Sequence, residues 1–325
     1  MIIRSMNGQL LSENRSMGNW RKIGKIYETQ GQYEWMKSHA TVPIPYHLGD
    51  DIYRFYFSTR DSINRNQLGS IEIDLSNPAE YYNLSSLPHF CFGEEGYFDC
   101  DGIYGTALVK HNDELWLYYA GWNAGLRGLF YSAIGLAFSK DNGLSFQRVK
   151  KSPILARDEI DPWAVMAPFV MKESSRWIMW YTSGIKIKTT GGKITSLYDV
   201  KTAISKNGID WVKTGKSAIE LTENDSNIAR ACVIKEKGLY RVWYPVVSKK
   251  SQQYRIGYGE SDNGLLFERK EHLPEAGLDS SNKAHDWDSN AVTYPYVFNH
   301  KGTYYMLYNG NNFGKTGFGL AVWSK

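Results

Sequence analysis

The chain has 325 residues, 38 of them basic and 34 acidic, for a net charge of +4. So small and scattered a charge argues against a nucleic-acid partner. No stretch reaches the roughly 18 apolar residues of a membrane span, and residues 1–8 lack the apolar centre of a signal peptide. The three cysteines, Cys91, Cys100 and Cys232, have neither disulfide-framework nor zinc-site spacing, which points to a cytoplasmic protein with free thiols.

In chain order, residues 1–18 read as an arm, and residues 20–27 as a first strand. Five aromatic strands then recur. They are Tyr53-Arg-Phe-Tyr-Phe57, Leu115-Trp-Leu-Tyr-Tyr119, Trp177-Ile-Met-Trp-Tyr181, Tyr240-Arg-Val-Trp-Tyr244 and Tyr304-Tyr-Met-Leu-Tyr308. Their last residues lie 62, 62, 63 and 64 positions apart. An apolar strand and a Gly-, Asn- or Asp-rich turn precede each, as at residues 164–171 and 229–234, and a third strand follows. Three copies continue through a shared turn, Ser139-Lys-Asp-Asn-Gly143, Ser205-Lys-Asn-Gly208 and Ser261-Asp-Asn-Gly264, into a fourth strand opened by an aromatic. The Asn-Gly pair is expected to supply the positive φ of a tight hairpin. Residues 77–97 and 186–197 are the longest insertions, the second read as a mobile rim loop.

A four-stranded antiparallel unit repeated five times predicts an all-β, five-bladed β-propeller in one domain, residues 1–325. The last copy stops after its third strand. The segment Trp20-Arg-Lys-Ile-Gly-Lys-Ile-Tyr27 resembles Trp211-Val-Lys-Thr-Gly-Lys-Ser-Ala218, so the N-terminal strand is expected to complete the last blade and close the ring. The aromatic strands themselves are read as core between blades.

Twenty positions before the end of each aromatic strand stand Lys37, Asp99, Asp161, Asn224 and Asp288. In a propeller these positions open the innermost strands, so Asp99, Asp161 and Asp288 are expected to converge on one acidic pocket. Asp101 and Glu223 extend the acidic set. Glycosyl transfer commonly uses two carboxyl groups, one protonating the leaving oxygen and one activating water or attacking. His39, Arg60 and Arg230 are candidates for holding polar or anionic substituents, and Trp122, Trp163, Trp287 and Asn290 for contacting a sugar. No cofactor is expected; the acidic ring would suit a structural divalent cation, although the Asp-x-Asp-x-Asp-Gly loop is absent. A carbohydrate is the expected partner.

Together the blade pattern and the stretches Ile256-Gly-Tyr-Gly-Glu-Ser-Asp-Asn-Gly-Leu-Leu-Phe267, Trp287-Asp-Ser-Asn-Ala-Val-Thr-Tyr-Pro-Tyr-Val297, Ser38-His-Ala-Thr-Val-Pro43 and Tyr56-Phe-Ser-Thr-Arg-Asp61 resemble the five-bladed propeller glycoside hydrolases of families 43, 32, 68, 62 and 130. The resemblance is strongest to family-130-like glycosylases of bacterial surface-polysaccharide clusters. It implies a glycosidase or related glycosyl-transferring enzyme, with a phosphorylase, a glycosyltransferase or a non-catalytic glycan-binding propeller as alternatives. It also implies that Ile160-Asp161-Pro162 matches the family 43 segment whose Asp tunes the acid, and that Glu223 lies near that family's general acid. Lys37 stands where family 43 places its base, and the Asn-Asp-Pro-Asn motif of family 32 is missing.

Overall fold

The computed structural model describes residues 18–125, 130–190, 193–270, 273 and 276–324; the arm read at residues 1–18 lies almost wholly outside them. β1 (Asn19–Tyr27) is followed by a first strand group, β2 (Ser38–Gly49), β3 (Ile52–Arg60), β4 (Asn66–Asp74) and β5 (Tyr81–Tyr82). The second comprises β6 (Gly102–His111), β7 (Glu114–Ala124), β8 (Phe130–Ser139) and β9 (Gln147–Arg148). The third comprises β10 (Ala164–Lys172), β11 (Trp177–Thr190), β12 (Lys193–Ser205) and β13 (Trp211–Ile219). Then come β14 (Asp225–Ile228), β15 (Cys232–Glu236), β16 (Leu239–Ser248), β17 (Tyr254–Ser261) and β18 (Glu268–Arg269), and finally β19 (Thr293–His300), β20 (Thr303–Asn309) and β21 (Phe318–Ser324).

Within each group, consecutive strands pair antiparallel, except that β14 and β15 both pair with β16. Among the described residues the hydrogen-bonded sheets are three, because single parallel bridges, Asn66↔Gly102 and Tyr198↔Asn227, join neighbouring groups. β1 pairs antiparallel with β21, Trp20 opposite Trp323, so the first strand flanks the last. Two expectations are corrected. Residues 186–197 carry a continued β11–β12 ladder out to Thr190↔Lys193 rather than a loop. Of the strand expected at residues 229–234 only residues 232–234 are extended pairing, in β15; residues 229–231, with Arg230 at φ 22°, separate it from β14.

The second strand of each group is buried on both faces, as a core strand must be. Phe55, Tyr56 and Phe57 are buried, as are Leu117, Tyr118 and Tyr119, and Met179, Trp180 and Tyr181. The Ser–Gly turns explain how one group registers on the next. Ser139, Ser205 and Ser261 accept hydrogen bonds through Oγ from the N–H groups of Gly143, Gly208 and Gly264. The carbonyls of those glycines then accept from the preceding group's buried aromatics: Tyr56 Oη at 2.7 Å, Tyr118 Oη at 2.9 Å and Trp180 Nε1 at 2.7 Å. Among the three asparagines only Asn142 has a positive φ; Asn207 and Asn263 instead cap the turn, their side-chain oxygens accepting N–H bonds two residues on.

Tyr56→Phe removes one such link and strands the Gly143 carbonyl. It is expected to cost about 1–2 kcal/mol of stability, measured by urea unfolding.

Candidate functional site

Each aligned carboxylate is taken up by internal partners. Asp99 is fully buried and accepts hydrogen bonds from Tyr119 Oη at 3.1 Å and Arg148 Nε at 2.8 Å. Asp161, also fully buried, accepts from Tyr181 Oη at 2.8 Å, Ser183 Oγ at 2.5 Å and Lys201 Nζ at 3.0 Å, and pairs with Lys213 at 2.8 Å. Asp288 pairs with Lys22 at 2.6 Å and accepts from Tyr308 Oη at 3.3 Å. In the fourth group the acid is one position later: Asp225 is held by Arg269 and by Thr222 Oγ1 at 2.8 Å.

The cation comes each time from the outermost strand of the same sheet, Arg148 in β9, Lys213 in β13, Arg269 in β18 and Lys22 in β1. Each follows a buried or half-buried aromatic by two positions, in Phe146-Gln-Arg148, Trp211-Val-Lys213, Phe267-Glu-Arg269 and Trp20-Arg-Lys22. This aromatic-x-cation pattern is a sequence signal in its own right, and only the folded pairing gives it meaning. In the first group the acid is replaced by Lys37 and the hydroxyl by Phe57, and β5 offers only Tyr81 and Tyr82. All parts of the clamp are absent together there, as a structural unit would require. Lys37 pairs with Glu34 at the surface.

In this structure Asp99, Asp161 and Asp288 are each buried and engaged by internal cations and hydroxyls, a role that packing alone accounts for. Burial works to raise the pKa of Asp161, but hydrogen bonds from Lys213, Ser183, Lys201 and Tyr181 outweigh it and hold the pKa below the usual carboxylate value. Among the described residues no group of three or more His, Cys, Asp or Glu side chains is arranged to hold a metal ion. Asp101 caps a backbone N–H, that of Ala124, at 2.7 Å. Glu223 lies on an exposed turn before β14.

The tryptophans also serve packing. Trp287 stacks on Tyr308 at 5.3 Å and lies so close to Gly310 that a Cβ there would stand 2.4 Å from its ring. Trp163 is buried and stacks on Tyr198 at 5.0 Å. Trp122 donates through Nε1 to Asn66 Oδ1 at 3.1 Å. Asn290 is exposed, with its backbone N–H bonded to Asn311 Oδ1.

What the structure does bring together is His39, Arg60 and Arg230, where the inner strands begin. Arg230 is 1 % exposed, and its guanidinium reaches backbone carbonyls of three other groups: Pro43, Thr106, and Tyr294 with Pro295, at 2.7–3.3 Å. Burial lowers its pKa to about 10. With its terminal nitrogens spent on carbonyls and its surface covered, Arg230 is a keystone beneath the site rather than a hand for substrate. Arg60, ending β3, is half-buried; its Nη2 lies 3.4 Å from Tyr104 Oη and its buried Nε has no partner. His39 Nδ1 lies 2.9 Å from Ser38 Oγ. Its pKa is lowered to about 4, chiefly by burial and then by the charges of Arg60 and Lys315.

Lys315 and Phe313 were not foreseen. They belong to the turn between β20 and β21, whose only sequence signal is its Gly- and Asn-rich run, Asn309-Gly-Asn-Asn-Phe-Gly-Lys-Thr-Gly317. Asn309 pins this turn to β2, accepting from Val42 N and donating to Ala40 O, both at 2.7 Å. Gly314, at φ 89°, sits where a Cβ would meet Ala40 O at 2.9 Å. Phe313 packs its ring against Tyr254 and Tyr294, with centroids at 5.7 and 6.4 Å, and stays 47 % exposed. His39, Tyr294, Asn312 and Phe313 all have φ between 51° and 64°, conformations that non-glycine residues adopt at a cost and that gather at functional sites. Chemically, the cluster offers a guanidinium, an ammonium, a neutral imidazole, tyrosyl hydroxyls and one open aromatic face.

No protein-family model matches the sequence. Its fold is that of glycoside hydrolases. It superposes on BT0996, solved as an RGII complex, with a TM-score of 0.74, 16 % identity, and coverage of 95 % of this protein and 92 % of that one. A glycosyl hydrolase from Bacteroides ovatus gives 0.69 at 12 % identity, covering 94 % of each. A thermostable family-43 glycoside hydrolase gives 0.62 at 17 %, covering 88 % of each. In sequence, the protein is 34 % identical over 304 residues to the uncharacterized protein Rv1502 of Mycobacterium tuberculosis, spanning 93 % of this protein and 98 % of that one, and it belongs to the same family. The same figures hold for the uncharacterized protein MT1551 of a second M. tuberculosis strain.

Two outcomes are expected. Asp161→Asn leaves Lys201 without its counter-ion and Lys213 with Asp158 alone, and should cost about 3–5 kcal/mol in chemical unfolding. Because the folded pKa of Asp161 lies below its unfolded value, its contribution is complete above about pH 4 and is lost as pH falls through the folded pKa. His39 has linkage of the same sign: between about pH 6.5 and about pH 4 the unfolded state takes up the proton and the folded one does not, so acidification again destabilises. NMR titration of its ring should place the midpoint near 4.

Proposed function

We propose that this protein is a carbohydrate-active enzyme of the glycoside hydrolase type, a single-domain five-bladed propeller closed by β1, that makes or breaks a glycosidic bond at the face where the inner strands begin. The observation that carries this reading is the strained polar cluster of His39, Arg60, Tyr104, Tyr294, Phe313 and Lys315, set at the start of β2, the end of β3 and the β20–β21 turn of a glycoside hydrolase fold. Phe313 gives a sugar ring an apolar face. Arg60, Lys315 and His39 give hydrogen bonds to its substituents. Arg230 braces the cluster from below. Three free cysteines support a reducing compartment, the cytoplasm.

A second reading, a glycan-binding propeller without turnover, is favoured by one observation: Asp99, Asp161 and Asp288 are enclosed and ion-paired. The two separate on incubation of the purified protein with an oligosaccharide panel, following both bound ligand and released reducing ends. Turnover abolished by His39→Ala and Arg60→Ala supports the enzyme. Binding with every ligand recovered intact supports the binder. A protein that neither binds nor turns over any member of the panel sinks both.

A further inference from the structure

We infer that the cluster takes a sugar bearing an anionic group, a carboxylate or a phosphoryl, and that Arg60 and Lys315 hold that group. This rests on the preceding reading insofar as the ligand is a carbohydrate; the charge argument stands on its own.

Elsewhere this protein neutralises the cations it buries or half-buries. Arg54 pairs with Glu72, Arg148 with Asp99, Lys213 with Asp161 and Arg269 with Asp225. At the strand-start cluster it does not. Among the described residues, the half-buried Arg60 and the buried Arg230 have no carboxylate within ion-pair distance, and neither does the exposed Lys315 near them. Arg60 even keeps a buried Nε with no acceptor at all, which costs free energy until something accepts from it. Arg230 cannot be that something's main holder, since backbone carbonyls occupy its terminal nitrogens. Uncompensated positive charge therefore lies at Arg60 and Lys315, on either side of His39, which feels both.

The geometry suits a charged ligand group. A guanidinium presents a planar fork that matches the two oxygens of a carboxylate or phosphoryl group. Lys315 is carried by a turn that Asn309 and Gly314 fix against β2, so its backbone is pre-positioned. The imidazole of His39, neutral at pH 7, adds no repulsion and no competing anion. The exposed ring of Phe313, two residues before Lys315, lies where the body of a sugar would extend, which distinguishes this ligand from a bare anion.

Calorimetric titration of the full-length protein tests this with glucuronate and glucose 6-phosphate as charged probes, glucose as the neutral probe and inorganic phosphate as the sugar-free anion. At least one charged sugar should bind roughly tenfold or more tighter than glucose, the scale of one charge-assisted hydrogen bond. That advantage should shrink as salt rises from about 50 to about 500 mM. Arg60→Gln should erase it, weakening the charged sugars far more than glucose. Lys315→Gln, at an exposed position that folding does not need, should reduce it in the same direction. Phe313→Ala should weaken sugars but not phosphate. The better of glucuronate and glucose 6-phosphate tells carboxylate from phosphoryl.

Glucose binding as tightly as both charged sugars overturns the anion inference and leaves the carbohydrate reading standing. Phosphate binding with no sugar preference supports the charge and overturns the carbohydrate. Unchanged selectivity in both Arg60→Gln and Lys315→Gln, with thermal melts showing folded protein, overturns the assignment of residues. No binding of any probe overturns it as well.

Discussion

The structure depends on a buried carboxylate clamped between a tyrosine of the second strand and a cation of the outermost strand. Asp99, Asp161 and Asp288 each sit where the backbone turns into an inner strand, and each ties that point across the sheet to its far edge. Burying an ion pair is costly unless geometry is good and the remaining lone pairs are satisfied. Here a tyrosyl hydroxyl shares each carboxylate, and Asp161 adds Ser183 and a second lysine. The aromatic that precedes the cation by two residues packs on the neighbouring group, Phe146 on Tyr56, Trp211 on Tyr118 and Trp20 on Trp243. What results is a repeated staple that sets the width of a sheet.

That staple also explains what could and could not be read from sequence. The period was legible because a doubly buried aromatic strand has few substitutes, and its copies recur at almost constant spacing. The turns were legible in part: Gly143, Gly208 and Gly264 are where a positive φ is needed, while Asn207 and Asn263 act through side chains. The recurring acids have a physical reason of their own. A residue that recurs at the same place in successive repeats answers a need that every repeat has, and that need is structural. Residues that serve a ligand break the repeat. His39 and Arg60 were found because they stood outside the pattern, in the one group that lacks the clamp. Lys315, Phe313, Tyr104 and Tyr294 were not found, because only the folded protein shows that the β20–β21 turn is pinned onto β2.

Arg230 shows the same contrast in one residue. It interrupts what would otherwise be a continuous inner strand, at φ 22°, and turns its guanidinium to the carbonyls of three other groups. A cation held by carbonyl dipoles instead of a carboxylate keeps its positive field, since no counter-charge cancels it. It braces the strand starts mechanically and biases the space above them electrostatically.

The pairing of β1 with β21 has a consequence for biosynthesis. The strand made before every other one described here finds its partner only when the last has been made, about three hundred residues later. Until then Lys22 has no Asp288, and Trp20 has no Trp323 to pack on. During synthesis β1 therefore waits unpaired until β21 has been made, an open edge of the sort that aggregates. Positive charges at Arg21, Lys22 and Lys25 give that waiting strand the gatekeepers it needs, so one lysine serves first to keep the nascent edge soluble and afterwards to fasten it.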